Sequence, residues 1–143
     1  MKNLAILIFV FLCLIENLSG QIVIGAPSLG FSQACAGPSF NTYNVSFTFT
    51  ESGLSATNQF KIELSDTTGS FSSATTIYTS NAGAVTISPA TLSFSVPITS
   101  SGEAYKLRIK STAPAATSSN SVAFAAYYKI QDTPFSINNL IST

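Results

Sequence analysis

From residue 43 onward, apolar and polar positions alternate along the chain. Tyr43, Val45, Phe47 and Phe49 share one parity, with Asn44, Ser46 and Thr48 on the other, the period of two expected of a half-buried strand. Phe60, Ile62 and Leu64 alternate with Lys61, Glu63 and Ser65, and Leu92, Phe94, Val96 and Ile98 with Ser93, Ser95 and Pro97. Tyr105, Leu107 and Ile109 alternate with Lys106, Arg108 and Lys110, while Val122, Phe124, Ala126 and Tyr128 form a further inward set. Shorter inward sets come from Ile22 with Ile24, Phe71, Ile77, and Val85 with Ile87. Pro97 assigns its strand to an edge or a bulge, because proline has no amide to give to a ladder. No segment after Ile15 carries a sustained 3.6-residue stripe, so no helix is expected there.

Turn-forming clusters separate these runs: Ser52-Gly53, Asp66-Thr67-Thr68-Gly69-Ser70, Asn81-Ala82-Gly83 and Ser100-Ser101-Gly102. Glycine admits positive φ, and Asp or Asn bonds its own local backbone. About seven short strands at this spacing predict an all-β fold, an antiparallel sandwich of two sheets packed about 10 Å apart. Gly102-Glu103-Ala104-Tyr105 sets a tyrosine after a tight corner at the start of a late strand, where a tyrosine corner holds its loop through the hydroxyl. The expectation is an immunoglobulin-like sandwich. The antibody subgroup is excluded, since neither the inter-sheet disulfide nor the buried Trp is present.

The first twenty residues have a different character. Lys2 is followed by an unbroken apolar run over residues 4–15. As a helix rising about 1.5 Å per residue it would span roughly 18 Å, short of the ~30 Å hydrocarbon core. Residues 1–20 therefore read as a secretory signal peptide with cleavage after Gly20, and no membrane span is expected in the mature chain. The rival, a lipoprotein acylated at Cys13, is disfavoured by the bulky Leu12 before it. Residues 21–132 then form the domain, and residues 133–143 a linker and the start of a further strand or of a next domain.

Composition narrows the chemistry. The 143 residues carry 6 Lys+Arg and 6 Asp+Glu, no His and no Trp. A net charge of zero argues against nucleic acid as a partner. Without histidine there is no neutral-pH proton shuttle and no imidazole metal ligand, and the scattered acids suit neither a glycosidase pair nor a calcium site. No catalytic residue, cofactor or metal is expected. Once the leader is removed Cys35 is the sole thiol, unable to staple the domain to itself and lacking a histidine base. It is a structural cysteine or a candidate for an intermolecular or interdomain disulfide.

A set of blocks carries a resemblance. Cys35-Ala36-Gly37 leads into a Val-x-Phe strand. Then come Asn58-Gln59-Phe60-Lys61-Ile62-Glu63-Leu64-Ser65-Asp66, Gly69-Ser70-Phe71, Val96-Pro97-Ile98, Gly102-x-x-Tyr105-Lys106-Leu107-Arg108-Ile109 and Ser111-Thr112-x-Pro114. Over residues 35–124 the chain resembles a β-sandwich repeat of large secreted surface proteins of Bacteroidetes, including those linked to gliding motility and type IX secretion. The resemblance implies an extracellular, multidomain, adhesive or stalk-forming setting, served by the secretion machinery, and no catalytic residues. The chain departs from that family in showing neither a series of repeats nor a C-terminal secretion domain.

Four features stand out as candidate contacts. Lys106, Arg108 and Lys110 form a basic stripe suited to an anionic surface polysaccharide, unless Glu63 and Lys61 stand opposite and the stripe merely solvates the sheet. Tyr127 and Tyr128 point to opposite faces, so only one is expected in the core and the other, Tyr127, is free to stack on a sugar or a neighbouring domain. Thr67, in Asp66-Thr67-Thr68, resembles a short O-glycosylation acceptor of Bacteroidetes and falls at a predicted hairpin tip. Residues 135–141 alternate again beyond Pro134, as the opening of a second domain, an additional strand of this one, or a strand inserted into a neighbouring subunit. The function expected is a non-enzymatic structural or adhesion module at the cell surface. The alternatives are a carbohydrate- or protein-binding module and a small subunit that assembles by strand addition.

Overall fold

The computed structural model describes residues 21–128. The expected signal peptide, its cleavage site, Cys13 and the segment 133–143 lie outside the described residues. Within them the fold is all-β, with ten strands: β1 (Ser28–Leu29), β2 (Gln33–Cys35), β3 (Tyr43–Phe47), β4 (Phe60–Leu64), β5 (Thr75–Thr79), β6 (Ala90–Phe94), β7 (Ser101–Tyr105), β8 (Leu107–Thr112), β9 (Ala115–Thr117) and β10 (Phe124–Tyr127). Among the described residues no helix is long and apolar enough to cross a membrane.

The strands form three sheets, ordered β1-β3-β6, β2-β10-β7 and β5-β4-β8-β9. The alternation read from the sequence sets which face turns inward. Val45, Phe47, Phe60, Ile62, Leu64, Leu92, Phe94, Val96, Tyr105, Leu107, Ile109, Phe124 and Ala126 are all buried in one cluster. Rings of β3 and β6 meet those of the other sheets across it: Phe47 lies 5.2 Å from Phe60, and Phe31 bridges Phe94 at 6.3 Å and Phe124 at 5.4 Å. Burying each large apolar side chain contributes roughly 1.5–3 kcal/mol, and tilted or edge-on ring pairs add to that.

The strand count differs from the expected seven because the short strands β1, β2 and β9 carry no alternating run and because the run over 105–110 is split in two. β7 and β8 are separated at Lys106, whose amide donates to Ser65 Oγ at 2.8 Å while its carbonyl accepts from Ser65 N at 3.0 Å. β9 and β10 are separated by a stretch in which Ser118 Oγ and Ser121 Oγ accept from the amides of Ile109 and Leu107. Nor is the pairing antiparallel throughout, since β2 runs parallel to β10 with Cys35 opposite Tyr127.

Four residues expected to face inward are exposed: Ile87 by 74%, Ile98 by 60%, Val122 by 71% and Tyr128 by 47%. Each lies beyond the end of a strand, where the period of two no longer applies. Ile98 follows Pro97 in a turn closed by Ser100 N donating to Pro97 O. Phe71, also expected inward, is half-buried with its ring under the Arg108 guanidinium, 4.5 Å from the ring centroid. The strand that Pro97 assigned to an edge does lie there, as β6. The Tyr105 hydroxyl accepts from the Ser101 amide at 3.2 Å and so holds its corner.

Candidate functional site

The first and last described stretches lie at opposite poles of this body. At the leading pole Ile24 bridges Phe49, Gly25 N donates to Thr48 O and Thr50 N to Val23 O. At the trailing pole Ala36 N donates to Tyr127 O, and the Tyr43 hydroxyl accepts from Cys35 N and donates to Cys35 O. Tyr43 begins β3 and Phe49 lies just past its end, so at about 3.3 Å per residue the poles stand roughly 20 Å apart.

Two of the residues singled out from the sequence, Cys35 and Tyr127, meet at the trailing pole. Tyr127 lies opposite Cys35 on one side and Ser101 on the other. The adjacent Gly102 approaches Thr67 so closely that a β-carbon there would come within 3.0 Å of the threonine side chain. Gln33, Ala34, Cys35, Tyr43, Tyr127 and Tyr128 line an open concavity of about 470 Å³. Tyr127 is 45% exposed, and its hydroxyl donates to Glu103 Oε1 at 2.9 Å. That bond, with lesser help from desolvation and the carboxylate's charge, raises the phenol above its ordinary value. One of the two tyrosines was expected in the core; both are exposed, at the point where the β10 ladder ends. Cys35 is a free, half-buried cysteine.

Thr67 is exposed in the β4–β5 connection, beside a tightly organised Asx turn. Asp66 Oδ1 accepts from Thr68 N at 2.9 Å, Thr68 Oγ1 at 2.7 Å and Ser70 N at 2.9 Å. These bonds, that from the Thr68 hydroxyl first, hold the carboxyl below its ordinary value. Gly69 closes the turn at φ +84°, in the left-handed region that costs glycine no steric strain.

The basic stripe lies apart from the pole, on the outer face of the four-stranded sheet. Its register sets Arg108 opposite Glu63 and Lys110 opposite Lys61. Arg108 Nε reaches Glu63 Oε2 at 2.7 Å, and Lys110 Nζ lies 3.4 Å from Glu63 Oε1. Two of the three cations thus share one largely buried carboxylate, and Arg108 is held further by Phe71. Among the described residues Lys61, Lys106, Arg108 and Lys110 are the only cations, so this face gathers four positive charges around one negative charge.

Gln33, Tyr43 and Glu103 went unrecognised as parts of the pole. No local pattern marks them, since their proximity depends on β2 joining β10 across most of the chain. The pole offers aromatic faces for stacking, apolar surface for packing and a thiol able to form a disulfide. Among the described residues no group of three or more His, Cys, Asp or Glu gathers in a way that would hold a metal ion. No protein-family model and no curated protein matches the chain.

Proposed function

We propose that this chain is a non-enzymatic structural or adhesion module, an immunoglobulin-like β-sandwich exported to the cell surface to space or present neighbouring domains or subunits. The observation that carries this role is the placing of the first and last described stretches at opposite poles. A body entered at one end and left roughly 20 Å away adds length to whatever it joins, whereas one with adjacent ends would hang to the side. The trailing pole supports it too: exposed tyrosines and a free thiol suit packing against, or a disulfide to, a following unit. The sandwich assignment rests on a β1-β3-β6 sheet packed through shared rings against the other strands, on the parallel β2–β10 pair, and on the Tyr105 hydroxyl bonded to its own corner. Export to the surface, and a gliding-motility setting, rest on the apolar leader and on the resemblance to Bacteroidetes repeats.

A second role, binding an anionic carbohydrate, is favoured by one observation: the four cations on one face exceed what Glu63 balances. Lys106, Arg108 and Lys110 are its contacts, with Tyr127 on a separate surface. A glycan array probed with the exported chain separates the two. The spacer role predicts no binding in the micromolar range. Micromolar binding to a defined acidic glycan, lost in Lys106→Gln with Lys110→Gln, overturns the spacer role in favour of the second.

A further inference from the structure

Edge strands leave a row of main-chain donors and acceptors open, and proteins blunt most of them with short length, charge, proline or a bulge. In this fold β1 has two residues, and β2 and β9 three each. β5 and β7 are longer, but β5 carries a bulge where its register against β4 shifts between Ile62 and Glu63, and β7 carries one where its register against β10 shifts between Phe124 and Ala126, together with the charge of Glu103. β6 has none of these devices within it. Its five residues pair with β3 in unbroken register, from Tyr43 opposite Phe94 to Phe47 opposite Ala90. Pro89 and Pro97 stand outside its ends, and residues 67–102 contain no Asp, Glu, Lys or Arg.

The direction of the β6 main-chain groups follows from its surroundings. Asn41 takes both main-chain groups of Val96, at 2.8 and 2.7 Å, and Ser88 Oγ takes the amide of Phe49, so the register continues through side chains at both ends. Ser46 Oγ and Thr91 Oγ1 meet at 2.8 Å, the close side-chain approach of a non-hydrogen-bonded pair. Residues 90, 92, 94 and 96 therefore bond toward β3, and Thr91, Ser93 and Ser95 turn their N–H and C=O groups to the open side. Their side chains are small hydroxyls on the outer face, while Leu92, Phe94 and Val96 face the core.

We propose that the open edge of β6 pairs antiparallel with β6 of a second copy of this chain, joining two three-stranded sheets into one of six. A two-fold pair sets the same row against itself, hydroxyl against hydroxyl and apolar against apolar, with no like charges opposed. Antiparallel pairing also brings the start of one strand beside the end of the other. The exposed Ile87 and Ile98 stand outside those two ends. Glu51, which reaches the Ser88 amide at 2.6 Å, is held on the β3 side. This contact is lateral, independent of the pole-to-pole spacing proposed above.

The test is sedimentation of the exported chain, residues 21–143, from low micromolar to near-millimolar concentration, with amide exchange read at Thr91, Ser93 and Ser95. A concentration-dependent dimer is expected, with those amides protected only in the dimer. Ser93→Lys sets lysines close together across the two-fold axis and should weaken the dimer at least about tenfold, while Ser93→Thr keeps it and both variants keep the wild-type melting temperature. A chain that stays monomeric overturns the proposal. So does a dimer indifferent to Ser93→Lys, or protection of these amides in a monomer, which would mean that a segment of the same chain covers the edge.

Discussion

The Asn58 carboxamide, buried just before β4, accepts through Oδ1 from Ser111 Oγ at 2.7 Å, Thr112 N at 3.0 Å and Ala113 N at 2.9 Å. Its Nδ2 makes no hydrogen bond among the described residues, so the acceptor half does the fastening. In Asn58→Ala, Ser111 Oγ keeps Pro114 O and Thr112 N keeps Gln59 O as acceptors, so the Ala113 amide is the donor left unpaired, and the change should cost about 1–3 kcal/mol in urea unfolding. Glu63 is a comparable knot among charges. In Glu63→Gln the Arg108 and Lys110 charges lose their counterion beside Lys61; with the pair partly solvated, the expected loss is about 1–2 kcal/mol. Asp66 gives a pH signature. Its carboxyl is held below its ordinary value in the folded turn, so its contribution is present above that value, 3.8, and is lost as pH falls through the lowered one. Protection of the Thr68 and Ser70 amides, relative to their intrinsic exchange rates, should therefore fall only in strongly acid solution, and in Asp66→Ala it should be low at every pH.

At the level of elements, the period of two located β3, β4, β6, β8 and β10 and the core they share, because each buries one face and leaves the other wet. It failed past the strand ends. Ile98, Val122 and Tyr128 keep the parity of an inward set, yet the ladder that gives parity its meaning has already stopped. The interruptions at Lys106 and after Thr117 were likewise hidden, since serine hydroxyls that take over a strand's amide bonds look like any other serine. The basic stripe and its partners Glu63 and Lys61 were legible from alternation on two strands. The meeting of Cys35 and Tyr127 at one pole was not, as it depends on the parallel β2–β10 pair. Within the core, Phe60 of β4 packs 5.2 Å from Phe47 and 4.8 Å from Phe49 and is fully buried. Phe60→Ala should cost about 3–5 kcal/mol by chemical denaturation, whereas Phe40→Ala, at an exposed loop position, should change stability by no more than about 0.5 kcal/mol.

For the molecule as a whole, the distribution of its few charges matters more than their sum. Among the described residues the cations gather on one outer face, the trailing pole carries Tyr43, Tyr127, Tyr128 and the thiol, and β6 itself bears no charge. A body arranged in this way offers one surface to the next unit along the chain and another to a neighbour at its side, both compatible with a unit that builds length at a cell surface. The separation of its two ends underlies that role. Distance measurement between spin labels at Val23→Cys and Tyr128→Cys, in a Cys35→Ser background, tests it most directly. Labels on opposite poles, at least about 20 Å apart, are the result predicted; labels within about 10 Å of each other, as adjacent ends would give, would contradict it.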